Sequence, residues 1–264
     1  MPTILVTNDD GIASQGLWPL CDKLKSVGRI TVIAPESPRS ATGMSLTFHK
    51  PLRVRKMSIG GRHGYAVSGN PADCVLLGVS QILSGALPDI VISGINLGDN
   101  VTAQTVFASG TVAAAMQGAV MGIKAIAFSL ALPESPRPSK GALNEKLGVA
   151  SDFAERISAH VLRKGLPVGV DYLNVNFPFE ITQTTRMKIT RLGRSKYADN
   201  VMERKDPRGR PYYWQWGAFR PSAEFERETD LHAVWAERSI SITPMSLDSS
   251  LRVEEDYFKG LFSE

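Results

Sequence analysis

Short runs of β-branched and aliphatic residues recur along the first half of the chain without polar alternation: Ile4 to Thr7, Ile30 to Ala34, Ile90 to Ser93 and Ala125 to Ser129. Unbroken runs of this length mark strands covered on both faces. Between them lie stretches with helical spacing, Gln15 to Val27, Pro71 to Leu83 and Thr111 to Met121. The second opens on a proline, which suits a first turn because the missing N–H has no helical partner there. Strands alternating with helices predict an α/β fold, a doubly wound, mostly parallel, Rossmann-like sheet. Right-handed crossovers in such a sheet place ligand sites at the carboxyl ends of the strands. Shorter alternating runs between Leu46 and Ser68 predict a small antiparallel insertion.

Pro133 to Gly141 holds three prolines and two serines and reads as a surface loop; a helix from Lys146 to Arg163 and a strand from Tyr172 to Phe177 follow. Residues 1–180 therefore read as a core and 181–264 as a C-terminal region of different character. Within the latter, residues 186 to 210 carry nine Lys or Arg against three acids. The aromatic run Tyr212, Tyr213, Trp214, Trp216 then predicts one arm of an extended hairpin, with the two tryptophans on one side of the strand. Leu251, Tyr257, Phe258, Leu261 and Phe262 lie near helical spacing and predict a tail helix that docks on something apolar. With Phe219, these aromatics ask for burial that a second subunit would supply.

Composition narrows the class without choosing a chemistry. At 43% hydrophobic and 21% charged residues the chain is an ordinary globular protein. Its 30 Lys and Arg against 26 Asp and Glu give a net charge of +4, which does not repel an anionic substrate but falls short of a protein that coats nucleic acid. No stable nucleic-acid partner is expected. Cys21 and Cys74 have no CxxC or His companion, so both are expected as buried thiols, and a cytoplasmic location is expected with them. Ile4 to Val6 already reads as the first strand, so no signal peptide is expected. The apolar stretch Thr111 to Leu132 is interrupted by Gln117 and Lys124 and divides into a helix and a buried strand, so no membrane span is expected.

The candidate chemistry gathers at strand ends. Thr7-Asn8-Asp9-Asp10-Gly11 directly follows the first strand. Adjacent carboxylates repel unless a cation or hydrogen bonds compensate. The same residues also suit an Asx-type turn with Gly11 at positive φ, and from these five residues alone the two readings are evenly matched. Three further segments add to the balance. Ser93 to Asn100 offers the Asn96 carbonyl, the loop Pro35 to Met44 offers hydroxyls including Ser40, and Ser109-Gly110-Thr111 opens the Ala-rich helix. A helix N-terminus with hydroxyls is a ready phosphate cradle, although a plain N-cap has the same appearance. All four segments fall on one rim of one sheet. Two carboxylates, a hydroxyl and an amide carbonyl form an oxygen-only set that favours one divalent cation, Mg²⁺ or Mn²⁺, over zinc.

Assembled in order, these motifs resemble the SurE family over nearly the whole chain. The segments are Ile4 to Gly11, Ala34 to Glu36 with the Ser40 loop, Val67 to Val75, Ser93 to Gly98, Ser109 to Thr111, and Thr229-Asp230 through Ile240 to Pro244. The resemblance implies a metal held by Asp9, Asp10, Ser40 and Asn96, and a phosphate met by Asn96, Ser109, Gly110 and Thr111. Asp9, Asp10 and Asn8 would form the catalytic group. It implies hydrolysis of nucleoside 5′-monophosphates by metal-activated water, with 3′-nucleotides and short polyphosphate as further substrates. It also implies a catalytic core over 1–180 and a homodimer or homotetramer that exchanges the hairpin and a swapped tail from 181–264. Asn70, Phe107-Ala108 and Glu237-Arg238-Ser239 depart from the usual family pattern, which bears on the pocket wall and not on the ligands.

Other readings fare worse. A Rossmann dinucleotide enzyme needs GxGxxG where this chain has Asn-Asp-Asp-Gly. An aspartyl-phosphate phosphatase needs DxD, and a serine hydrolase needs GxSxG, which none of Ser68, Ser93 or Ser109 has. The remaining alternative is a non-catalytic metal- or nucleotide-binding regulatory module. His232, alone of four histidines in a segment resembling a family motif, reads first as a packing residue and second as a proton donor to the leaving group.

Overall fold

The computed structural model describes residues 1–250, apart from the side chains of 199, 200 and 216; the expected tail helix at 251–264 lies outside the described residues. The strands are β1 Thr3–Thr7, β2 Arg29–Pro35, β3 Val54–Ile59, β4 Arg62–Val67, β5 Ile90–Leu97, β6 Ala125–Leu130, β7 Tyr172–Phe177, β8 Met187–Ile189, β9 Tyr197–Lys205, β10 Pro211–Phe219 and β11 Ile240–Met245. The α-helices are α1 Leu17–Leu24, α2 Pro71–Leu77, α3 Thr102–Val106, α4 Gly110–Val120 and α5 Lys140–Lys164. Among the described residues nine strands form one sheet in the order β3-β4-β2-β1-β5-β6-β7-β11-β8. The run from β4 to β7 is parallel, as the alternating pattern predicts.

Strand periodicity divides the core in two. Ile4 and Val6 face the layer of α1 and α5, where Leu17, Leu20, Leu147 and Phe153 pack and Phe128 stacks on Phe177 at 5.8 Å. Leu5 faces the opposite layer with Val75, Val112 and Ala115 of α2 and α4. Small residues let α4 approach the sheet closely: a Cβ on Gly118 would lie 2.9 Å from Val91 Cβ. Cys21 and Cys74 are free and buried, and burial pushes the Cys21 thiol up to about 12. Among the described residues no helix is long and apolar enough to cross a membrane.

Four boundaries differ from the sequence expectation, each for a local reason. Helix α5 starts at Lys140, inside the expected loop, because the Ser139 hydroxyl accepts the Ala142 N–H (3.2 Å) and caps it. Helix α2 gives way after Leu77 to a wider, π-type turn over Gly78–Ile82. Strand β5 runs on to Leu97 through a register shift between Ser93 and Asn96, so Asn96 sits on an irregular strand and not in a free loop. The expected insertion is not separate: β3 and β4 pair antiparallel, but β4 also pairs parallel with β2 and widens the main sheet.

The C-terminal region returns to the same sheet. Strand β11 pairs antiparallel with β7 and carries β8 on its far side. Strands β9 and β10 form a separate antiparallel pair, in register from Tyr197↔Phe219 to Lys205↔Pro211. On it Tyr212, Tyr213 and Trp214 are exposed. Phe219, expected to need a partner's cover, instead packs within the chain, 5.8 Å from Tyr197, 5.7 Å from Phe225 and 4.9 Å from Trp235 between ring centroids.

Candidate active site

Strand β1 ends at Thr7, and the chain turns immediately. Asn8 is fully buried; its Nδ2 donates to Gly11 O (3.0 Å) and its Oδ1 accepts the Gly11 N–H (3.2 Å). Gly11 holds φ +93°, and a Cβ there would stand 3.3 Å from Pro35 O, so the turn needs glycine on both counts. The Asx-type turn is thus present, and it is what sets the two acids at the strand end. Asn8, expected in the catalytic group, has its amide engaged by Gly11 and clasps this turn.

Asp9 lies under the N-terminus of α4. The Thr111 hydroxyl donates to Asp9 Oδ1, and a Cβ on Gly110 would be 2.8 Å from Asp9 Cβ. Asp10 Oδ2 accepts the Leu97 N–H (3.1 Å), which ties β1 to the irregular end of β5. Burial raises the Asp9 carboxyl above its ordinary range, opposed by hydrogen bonds from Thr111 and from the backbone of Gly110. Burial and then the neighbouring Asp9 charge push Asp10 up to about 6, opposed by the Leu97 N–H. Among the described residues no basic side chain forms an ion pair with either acid.

The other expected ligands come to the same rim. Asn96 Nδ2 donates to Gly98 O (2.6 Å), which leaves the side-chain carbonyl as the end open to a cation. Ser40 is exposed, on a loop pinned where Arg39 N–H donates to Asp9 O (2.7 Å) and Gly43 N–H donates to Ala108 O (2.9 Å). Among the described residues no three His, Cys, Asp or Glu side chains converge as a metal group. A cation at this rim would be held by two carboxylates and neutral oxygens, a donor set that suits a hard divalent ion. The uncompensated acid pair fits such an ion.

The expected phosphate residues divide their work. Ser109 Oγ accepts the Val112 N–H (3.1 Å) and caps α4. Gly110 permits the close approach to Asp9. Thr111 is fully buried and serves Asp9, so its hydroxyl faces the acid and not solvent. His232 lies elsewhere: its Nδ1 is 3.6 Å from Glu237 Oε1, in a cleft of about 780 Å³ whose lining includes Lys188 and Arg191 and none of the acid-rim residues.

A buried polar frame behind the rim escaped the sequence reading. Asn100 N–H donates to Asn176 Oδ1 (2.7 Å), Asn174 Nδ2 donates to Asn100 O (2.8 Å), and Asn100 Nδ2 donates to Ser129 Oγ (2.8 Å). Asp230 accepts N–H bonds from Thr102 (2.8 Å), Gly193 (2.9 Å) and Leu231 (2.8 Å). Asp99 pairs with Lys196, and Trp235 Nε1 donates to its Oδ2 (3.2 Å). Asn174 and Asn176 were visible as polar residues on one face of a strand that otherwise reads as buried; Asp99 and Lys196 carried no local signal.

The family described as Survival protein SurE matches residues 4–199. A protein of Methanothrix thermoacetophila named 5′-nucleotidase SurE is 41% identical over 257 residues, 96% of each chain. One of the same name from Methanocella arvoryzae is 44% identical over 246 residues, 93% of this chain and 92% of the other. The crystal structure of the SurE protein from Aquifex aeolicus superposes with a TM-score of 0.83 at 37% identity, over 99% of this chain and 100% of that one. A match through most of the chain, in sequence and in fold together, places this protein in the SurE family.

Proposed function

We propose that this chain hydrolyses nucleoside 5′-monophosphates to nucleoside and phosphate, with a divalent cation, Mg²⁺ or Mn²⁺, at the Asp9–Asp10 rim. Relatives that match nearly their full length carry the name 5′-nucleotidase, and the phosphate-releasing class follows from them. The observation that carries the metal reading is the adjacent pair of acids, Asp9 buried and Asp10 half-buried, with no cationic side chain paired to either among the described residues. Asp9, Asp10, Asn96 and Ser40 would hold the ion, which when bound lowers the pKa of a water and offsets charge on phosphoryl oxygens. Thr111 and Leu97 keep the two carboxylates oriented. The N-terminus of α4, at Ser109, Gly110 and Thr111, favours an anion beside them, and with Asn96 it is the proposed phosphate contact. Hydrolysis of 3′-nucleotides and short polyphosphate at the same rim, a cytoplasmic location and a homodimer or homotetramer belong to the same proposal.

The test is phosphate release from AMP with Mg²⁺ or Mn²⁺, with EDTA, and with Asp10→Asn. Release that needs the cation and falls at least about a hundredfold in the variant supports the proposal. Full activity in excess chelator refutes the metal. Cation and nucleotide binding without turnover would make the chain the non-catalytic regulatory module.

A further inference from the structure

The segment from Asn96 to Thr102 is tied down by hydrogen bonds from several elements. Leu97 N–H holds Asp10, Gly98 N–H donates to Leu130 O (2.9 Å), and Asn100 is gripped by Asn174 and Asn176 of β7. Between these ties the chain passes through Gly98 at φ +134°, a residue with little conformational resistance of its own. What holds the segment just past that glycine is Asp99, and its partners come from far along the sequence. Lys196 donates to Oδ1 and Trp235 to Oδ2.

This is a buried charge pair in a place where burial is costly. Asp99 and Lys196 are 8% and 4% exposed. Such a pair contributes little net stability against an apolar replacement and is retained where it fixes one arrangement. Lys196 is itself held: its N–H donates to Gln104 Oε1 (3.2 Å), on α3, and it stands at the root of the β9–β10 pair. Trp235 is packed on Phe219 at the other root of that pair.

We infer that Lys196 and Asp99 are positioning residues: through them the C-terminal region holds the Asn96–Asn100 segment in register against Asp10 and β6. The inference about the cation rests on the metal reading above; the inference about the segment does not. Asn96 is the ligand three residues before Asp99, and its carbonyl direction depends on the Gly98 turn that its own amide grips. Release of Asp99 frees that turn and with it the ligand.

The experiment uses the full chain with both charges removed, Asp99→Asn with Lys196→Met, so that neither partner is left buried and uncompensated. Amide hydrogen exchange of the metal-free protein is followed at 97–100, and Mn²⁺ affinity is measured by calorimetry. Faster exchange at these amides, by about tenfold or more, with the core strands unchanged, is the expected result. Mn²⁺ affinity is expected to fall by roughly 10- to 100-fold, with kcat on AMP at saturating cation within about threefold of wild type, the split expected when a ligand is loosened but not removed. Asp99→Asn alone, which leaves Lys196 buried without its carboxylate, should speed exchange at these amides more than the double variant does. Unchanged exchange at 97–100 overturns the inference. Faster exchange with wild-type Mn²⁺ affinity shows that the pair holds the segment but does not position a cation ligand, which overturns the second half. If the wild type itself binds no Mn²⁺, the metal reading has failed, and exchange alone still decides whether the pair holds the segment.

Discussion

Gly110 and Asp9 are so close that a side chain of even one carbon on the first would stand 2.8 Å from the Cβ of the second and 3.1 Å from its Oδ2. The helix that offers its N-terminus to an anion and the acid that would hold a cation are therefore built as one unit. Gly110→Ala must push α4 off the sheet end or swing Asp9 aside. Either way turnover should drop about a hundredfold or more, with a loss of about 1–3 kcal/mol in stability from overpacking. Steady-state kinetics beside thermal unfolding checks it; a variant with wild-type turnover would mean that the contact is slack.

The raised carboxyl of Asp10 gives a pH signature. Its folded pKa of about 6 lies above the ordinary 3.8, so the protonated form is the one the fold prefers. Its contribution is fully present below about pH 4 and is lost as pH rises through about 6, by about 1–3 kcal/mol in the metal-free protein. Asp10→Asn should remove this dependence and raise the melting temperature near neutral pH. Melting curves of both proteins in EDTA from pH 4 to 8 measure the difference. A gap that does not widen with pH contradicts the assignment. Cation affinity should run the other way and weaken below about pH 6, as protons compete for the site.

Thr111 tests whether orientation of Asp9 matters beyond its charge. Thr111→Val keeps shape and removes the donor from a buried acceptor, so the Asp9 pKa should rise further and turnover fall by about 10- to 100-fold. Thr111→Ser should restore most of it. Equal activity in all three proteins would show that the Asp9 carboxylate is held well enough without the hydroxyl.

The exposed Tyr212, Tyr213 and Trp214 lead to a prediction about assembly. Light scattering at micromolar concentration should give a dimer or tetramer, and replacing the three by Ser should shift the mass toward 28.7 kDa. A wild-type monomer with full activity refutes the proposed oligomer.

The alternation of buried strands and helices was legible because period and length are local properties; the parallel sheet from β4 to β7 and the acids at its rim followed from them. The misplaced boundaries are set by particular contacts that local periodicity does not encode. The start of α5 depends on one Ser139 cap, and β5 is extended through a bulge where its register on β6 shifts between Ser93 and Asn96. The site was legible as residue types and only partly as roles. Asp9, Asp10 and Asn96 stand at the rim as expected. Asn8 and Thr111, whose side chains look like ligands in a motif, turn inward to brace the acids. The Asp99–Lys196 pair spans 97 residues, a distance over which no pattern in one sequence signals contact.

Among the described residues strand β8 joins the sheet only through β11, and β11 is the last described strand of the chain. During synthesis, then, a ribosome that has released residue 199 has delivered every candidate ligand but not Trp235 or the strand on which β8 rests. The nascent protein at that point owns its chemistry without the frame that aims it. Activity should appear only once β11 has been made and paired with β7 and β8, so a product terminated at residue 199 should be inert and not a weak, unregulated enzyme.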